Sequence, residues 1–147
     1  MPDQLIVCQS CGFSVEAEKR DGETGGAHLL KQLQALHEQW PRRDELAIAT
    51  TGCLCICDQP CAIAYVGTGK PTYLFTHLDP TTCAADLLTA AELYLDSDDG
   101  MVPAFKLPPD LQPCRTARIP PAPAVSASLR AGDRHGHERQ SPLRNEA

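Results

Sequence analysis

Eight cysteines stand in the 147 residues of this chain. Six of them fall into two tight groups, Cys8/Cys11 and Cys53/Cys55/Cys57/Cys61. A thiolate is a soft ligand that suits zinc or an iron–sulfur cluster, and four of them close a tetrahedral or cluster site. Cys8-x-x-Cys11 lets two sulfurs converge on one metal from a tight turn, and Cys53-x-x-x-Cys57 offers two more. Either motif alone says little. Both in one short chain point to a metal or cluster site. Six sulfurs exceed the four that such a site needs, so spacing leaves the ligand set open.

Other chemistry drawn from the same cysteines is weaker. Cys8 and Cys11 could serve as a dithiol pair in a thiol–disulfide oxidoreductase, with Pro60 as the flanking proline. Such a pair normally opens a helix whose N-terminus lowers the thiol pKa. Here the polar, glycine-punctuated stretch 12–26 follows instead. Inert or disulfide-forming cysteines are the bland alternative, and structural zinc fits the sulfur count as well as iron–sulfur does. Cys83 and Cys114 read as buried small hydrophobes. His28, His37 and His77 read as packing or surface residues, and His135-Gly136-His137 as a neutral tail feature. Asp96, Asp98 and Asp99 read as a solvated turn. Gly67-Thr68-Gly69-Lys70 lacks P-loop spacing and reads as a turn. No Ser–His–Asp set or paired catalytic carboxylates stand out, so an enzyme with its own organic substrate is not supported.

The bulk composition agrees with a small globular protein. A formal charge of −6 and 42% hydrophobic residues give no reason to expect nucleic acid. The charge is uneven: the first 114 residues carry −9 and the remainder +3. Apolar runs fall far short of the roughly 20 residues a membrane span needs, so no membrane association is expected. Met1-Pro2-Asp3-Gln4-Leu5-Ile6-Val7 has neither a basic n-region nor a long apolar core. A cytoplasmic, reducing setting is therefore the expectation, in which clustered cysteines bind metal more often than they pair.

The elements that must position these sulfurs follow from periodicity. Leu5-Ile6-Val7 predicts a buried strand ending at Cys8. Residues 12–26 predict a loop. Leu29, Leu30, Leu33, Leu36 and Trp40 recur at helical spacing, and Pro41 stops that helix. Leu46–Ala49 predicts a strand running into Cys53. Ala62–Val66 and Thr72–Phe75 predict a hairpin. Asp79 as N-cap with Pro80 at N1 predicts a helix start, and Ala84, Leu87, Leu88, Ala91 and Leu95 its apolar stripe. The order β-α-β-β-β-α suits one mixed α/β sheet packed by both helices, the order of a thioredoxin-like fold. The domain spans 4–100, followed by a proline-rich wrap at 101–123 without regular structure and a disordered tail at 124–147.

Cys53-Leu54-Cys55-Ile56-Cys57-Asp58-Gln59-Pro60-Cys61, followed by a hairpin and a helix, resembles the second cysteine motif of thioredoxin-like [2Fe–2S] ferredoxins. The same motif occurs in the related subunit of bacterial NADH dehydrogenases. That resemblance implies a [2Fe–2S] cluster held by Cys8, Cys11, Cys53 and Cys57, with zinc as the alternative metal. Cys61 is the alternate ligand, in place of Cys11. A wider resemblance runs from Leu5 to about Pro123. Cys8-x-x-Cys11, the Cys53/Cys57/Cys61 spacing, Thr72–Phe75, Leu78-Asp79-Pro80, Asp99–Pro103 and Arg118–Pro121 are similar to an uncharacterised bacterial family. It is domain of unknown function 1636, described as predicted metal-binding proteins. Cys55 lies outside that pattern. Together these imply a small metal-binding protein acting as a ferredoxin-like electron carrier for a redox partner protein. The alternatives are a zinc-binding or metal-delivery module, and a Cys8/Cys11 oxidoreductase.

Overall fold

The computed structural model describes residues 2–123. Strand β1 (Asp3–Cys8) buries Leu5 and Val7 completely, the two-residue alternation of a strand with a covered face. A small hairpin follows, β2 (Lys19–Arg20) and β3 (Glu23–Thr24), inside the stretch the sequence predicts to be loop. Asp21 and Gly22 join the two strands with φ of 53° and 80°. Positive φ at both turn positions is the conformation an Asp-Gly pair supplies most readily.

Helix α1 (Gly25–Glu38) starts four residues ahead of the predicted apolar stripe. Thr24 is its N-cap: the side-chain oxygen accepts from the Ala27 N–H at 3.1 Å. Leu29 and Leu33 are the buried seam, and Trp40 lies just beyond the helix end. The helix is the crossover that lets β4 (Leu46–Thr51) lie parallel to β1, with Cys8 opposite Thr51. Strand β5 (Ile63–Val66) pairs antiparallel with the other side of β1, and β6 (Thr72–Phe75) continues the sheet. Gly67–Lys70 is the hairpin turn between them, closed by the Lys70 N–H donating to the Gly67 carbonyl at 3.1 Å.

Helix α2 (Ala84–Asp96) packs against α1 and over Tyr65, whose hydroxyl donates to the Leu87 carbonyl at 2.6 Å. Its start differs from the predicted one. Asp79 accepts from the Thr81 N–H at 2.9 Å and the Thr81 hydroxyl at 2.6 Å, which closes a local turn. This is an N-cap contact, and the Thr82 and Cys83 N–H groups donate to the Asp79 carbonyl, but the turn it opens stops at Cys83. Regular helix therefore begins after Cys83.

The six predicted elements appear in their predicted order, and the mixed α/β sheet is present. One strand more completes it. Beyond two 3-10 turns, Ala104–Lys106 and Pro109–Cys114, the chain forms β7 (Arg115–Ile119), antiparallel to β6. The sheet order is β4-β1-β5-β6-β7. The proline-rich stretch was expected to lie extended without regular structure, and instead it supplies an edge strand. An edge strand tolerates the flanking prolines because one side of its backbone carries no ladder. Leu107 and Leu111 enter the core beside it. The expected disordered tail at 124–147, with His135 and His137, lies outside the described residues.

Candidate metal centre

Strand pairing gathers the cysteines. Because β1 and β4 run parallel, their C-terminal ends lie together, and the Gln9 N–H donates to the Thr51 carbonyl at 3.0 Å. Because β5 runs antiparallel to β1, its N-terminal approach reaches the same end, where the Cys8 N–H donates to the Ala62 carbonyl at 3.2 Å. Cys8 and Cys11 leave β1, Cys53 to Cys57 leave β4, and Cys61 enters β5. All three cysteine-bearing segments therefore meet at one end of three adjacent strands.

The start of α1 is pinned to this end. The Gly26 N–H donates to the Cys11 carbonyl at 2.9 Å, and the Thr24 hydroxyl donates to the Gln9 carbonyl at 2.5 Å. A Cβ at Gly26 would overlap the Cys8 carbonyl oxygen, and one at Gly25 would overlap the Gly12 carbonyl. Only glycine lets helix and loop backbones approach this closely.

The sulfurs divide by exposure. Cys8, Cys11 and Cys61 are buried, at 1%, 2% and 0% exposure, whereas Cys53, Cys55 and Cys57 are exposed. Cys11 has the Cys8 and Cys61 thiols as its neighbours within this buried group. In the outer group, Cys53 Sγ and Cys57 Sγ are 3.6 Å apart. Cys55 adopts φ of 59°, which turns the loop back so that its N–H donates to Cys53 Sγ at 3.1 Å.

The electrostatics follow that division. Burial, and then the Cys11 thiol, push the Cys8 thiol up. The Cys61 thiol, and then burial, push Cys11 up strongly. Cys53 is drawn below the ordinary thiol value, first by the Cys55 N–H, then by the Cys57 thiol and the Ser10 hydroxyl. Its neighbour Cys57 is raised, chiefly by the Cys53 sulfur it faces. A hydrogen bond from a fixed N–H stabilises a thiolate, and burial among apolar groups disfavours one.

Ser10 has no place among the residues singled out from sequence. Its hydroxyl lies 3.7 Å from Cys8 Sγ and is among the groups that draw the Cys53 thiol down. Its position inside the Cys8-x-x-Cys11 turn was the available signal.

By donor type and placement these residues fit a thiolate-bound group, since soft sulfurs from three segments share one strand end. The sulfurs meet in pairs. Among the described residues no three His, Cys, Asp or Glu side chains converge to hold a metal ion. The centre is a gathered donor set and does not form a closed coordination shell.

The remaining candidates lie elsewhere. Cys83 and Cys114 are buried, at 6% and 8% exposure, on a cavity of about 240 Å³ that Leu111 also lines. Burial, and then the Asp79 charge, push Cys83 up to about 12. His37 Nε2 sits 2.6 Å from the Leu46 carbonyl, and His28 Nε2 sits 2.9 Å from Gln32 Nε2, which are packing contacts. Asp96 pairs with Arg42 at 2.8 Å, and Asp99 accepts from the Met101 N–H at 2.9 Å. Among the described residues no helix is long and apolar enough to cross a membrane.

Residues 5–121 match the family described as protein of unknown function (DUF1636). The chain belongs to that family. For this DUF1636 chain no curated protein gives a match. Among solved structures, a thioredoxin-like [2Fe–2S] ferredoxin from Aquifex aeolicus is similar at 12% identity and a TM-score of 0.44. The alignment covers 69% of this chain and 98% of the ferredoxin.

Proposed function

We propose that this DUF1636 chain is a thiolate metal-binding protein that carries a [2Fe–2S] cluster and passes electrons to a partner protein. One observation carries the reading: the cysteines of β1, β4 and β5 meet at a single end of the sheet. The proposed ligands are Cys8, Cys11, Cys53 and Cys57, with Cys61 as the alternate in place of Cys11 because it is buried at the same strand end. When bound, the cluster supplies a one-electron couple. The chain's own residues then set its surroundings. The Cys55 N–H donates to Cys53, and hydrogen bonds to cluster sulfur tune the potential. The buried Cys8/Cys11 side excludes water, and the exposed 53–57 loop offers a partner a short approach. The −9 charge of residues 1–114 suits a basic redox partner, with docking that weakens as salt rises. A cytoplasmic setting belongs to the same proposal, because it keeps these thiols reduced.

The test is iron, sulfide and zinc analysis of anaerobically purified protein, with visible spectra before and after dithionite. Two irons and two sulfides per chain with reversible bleaching support the carrier. Stoichiometric zinc without colour moves the assignment to a zinc or metal-delivery module. A chain that stays metal-free after anaerobic reconstitution overturns metal binding and leaves the dithiol reading.

A further inference from the structure

The outer cysteines hold a geometry that suits a second chemistry besides metal binding. Cys53 Sγ and Cys57 Sγ face each other at 3.6 Å, and both residues are exposed. The left-handed Cys55 makes the turn that brings them together, and its N–H fixes the Cys53 sulfur. Neither residue lies in a helix or strand, so closing the remaining gap to a bonded sulfur pair breaks no ladder hydrogen bond. The inner sulfurs differ: Cys8, Cys11 and Cys61 are packed under the sheet end, where a soluble oxidant has no access.

We propose that Cys53 and Cys57 are a reversible dithiol–disulfide pair, the point at which this chain reacts with small-molecule disulfides. The Cys53 sulfur attacks one sulfur of the small disulfide, breaks its S–S bond and expels one thiolate, leaving a mixed disulfide on Cys53. Cys57 then attacks the Cys53 sulfur and expels the second thiolate. Two electrons pass from the protein pair to the small disulfide, and the two thiol protons end on the two released thiolates. Closure also withdraws both outer sulfurs from a metal. That consequence alone rests on the metal reading proposed above.

The test treats the full-length, metal-free, reduced chain with oxidised glutathione, blocks remaining thiols with N-ethylmaleimide, and maps linkages by peptide mass spectrometry. The expected product joins Cys53 to Cys57, leaves six of the eight thiols titratable, and reopens with dithiothreitol. Cys57→Ser should stall at a glutathione adduct on Cys53. A bridge formed instead between Cys8 and Cys11, or alkylation of both Cys53 and Cys57 after oxidation, overturns the proposal. Zinc titration of both forms separates the two inferences. Zinc taken up by the reduced but not the closed chain supports both. Equal zinc uptake by both forms refutes the withdrawal of ligands. A disulfide formed in a chain that binds neither zinc nor iron leaves the dithiol pair standing and removes the metal reading.

Discussion

Replacing Gly26 with alanine sets two effects of opposite sign against each other. Alanine is favoured over glycine inside a helix by about 1 kcal/mol, and Gly26 lies in the first turn of α1. Against that gain stands the Cys8 carbonyl oxygen, which a Cβ at this position would overlap. The obstructing atom is backbone and is held in place by the Cys8 N–H bond to Ala62 and the Gln9 N–H bond to Thr51. It cannot move aside as the end of a flexible side chain would. Overpacking against fixed neighbours costs about 1–3 kcal/mol, and the backbone obstruction places this case at the upper end. The expected net loss is about 2 kcal/mol once the propensity gain of about 1 is subtracted. For a domain of this size that corresponds to a fall in Tm of roughly 6–12 °C. Urea unfolding of the metal-free, reduced chain, followed by fluorescence of the single tryptophan, Trp40, gives the measurement. Gly69→Ala is the control: its φ is 71° with nothing within 4 Å, so only the left-handed penalty of about 1 kcal/mol applies. A Gly26→Ala chain as stable as the wild type would show that α1 is not pressed against the Cys8–Cys11 turn.

Three further outcomes are expected. Lys70 Nζ donates to Asp3 at 2.8 Å and to the Tyr94 carbonyl at 2.9 Å, with both charged side chains about seven-eighths buried. Lys70→Met should destabilise by about 2–3 kcal/mol by leaving Asp3 unpaired, and adding Asp3→Asn should recover part of that; a double variant no more stable than the single one refutes the pairing. Native-state alkylation should modify Cys53, Cys55 and Cys57 well before Cys8, Cys11, Cys61, Cys83 or Cys114, and early labelling of Cys83 would contradict its burial. The Thr81 hydroxyl, and then the Thr81 N–H, hold the Asp79 carboxyl below its ordinary value. A depressed folded pKa gives stability that is present above the unfolded value and lost as pH falls through the folded one. Asp79→Asn should therefore flatten the acid side of a Tm–pH profile; identical acid limbs would remove that role.

Much of this molecule is written in local pattern. The alternation of Leu5 and Val7, the helical spacing of Leu29 and Leu33, and the Leu87–Ala91 stripe each identify an element because burial of one face repeats with a fixed period. The clustering of cysteines is equally local, since donor chemistry depends on residue type. Element ends were less legible. Asp79 makes the N-cap contact its residue type suggests, to the Thr81 N–H, yet the turn it opens does not run on into the helix, which begins at Ala84. The Asp21-Gly22 hairpin lies inside the stretch read as loop, because it is too short to carry a periodic pattern. Strand β7 carried little signal because an edge strand half open to water needs no strict alternation; it exists because β6 offers it a partner.

The candidate site divides in the same way. Sequence determined that six clustered sulfurs are available and that two spacings suit soft-metal or dithiol chemistry. Only the tertiary structure decided that they meet at one end of the sheet, that Cys61 joins Cys8 and Cys11 in the buried set, and that the outer pair is exposed. Those facts depend on the parallel pairing of β1 with β4 across a helical crossover. Strand partnership over forty residues is chosen by the burial of the whole core, and no window along the chain contains that information.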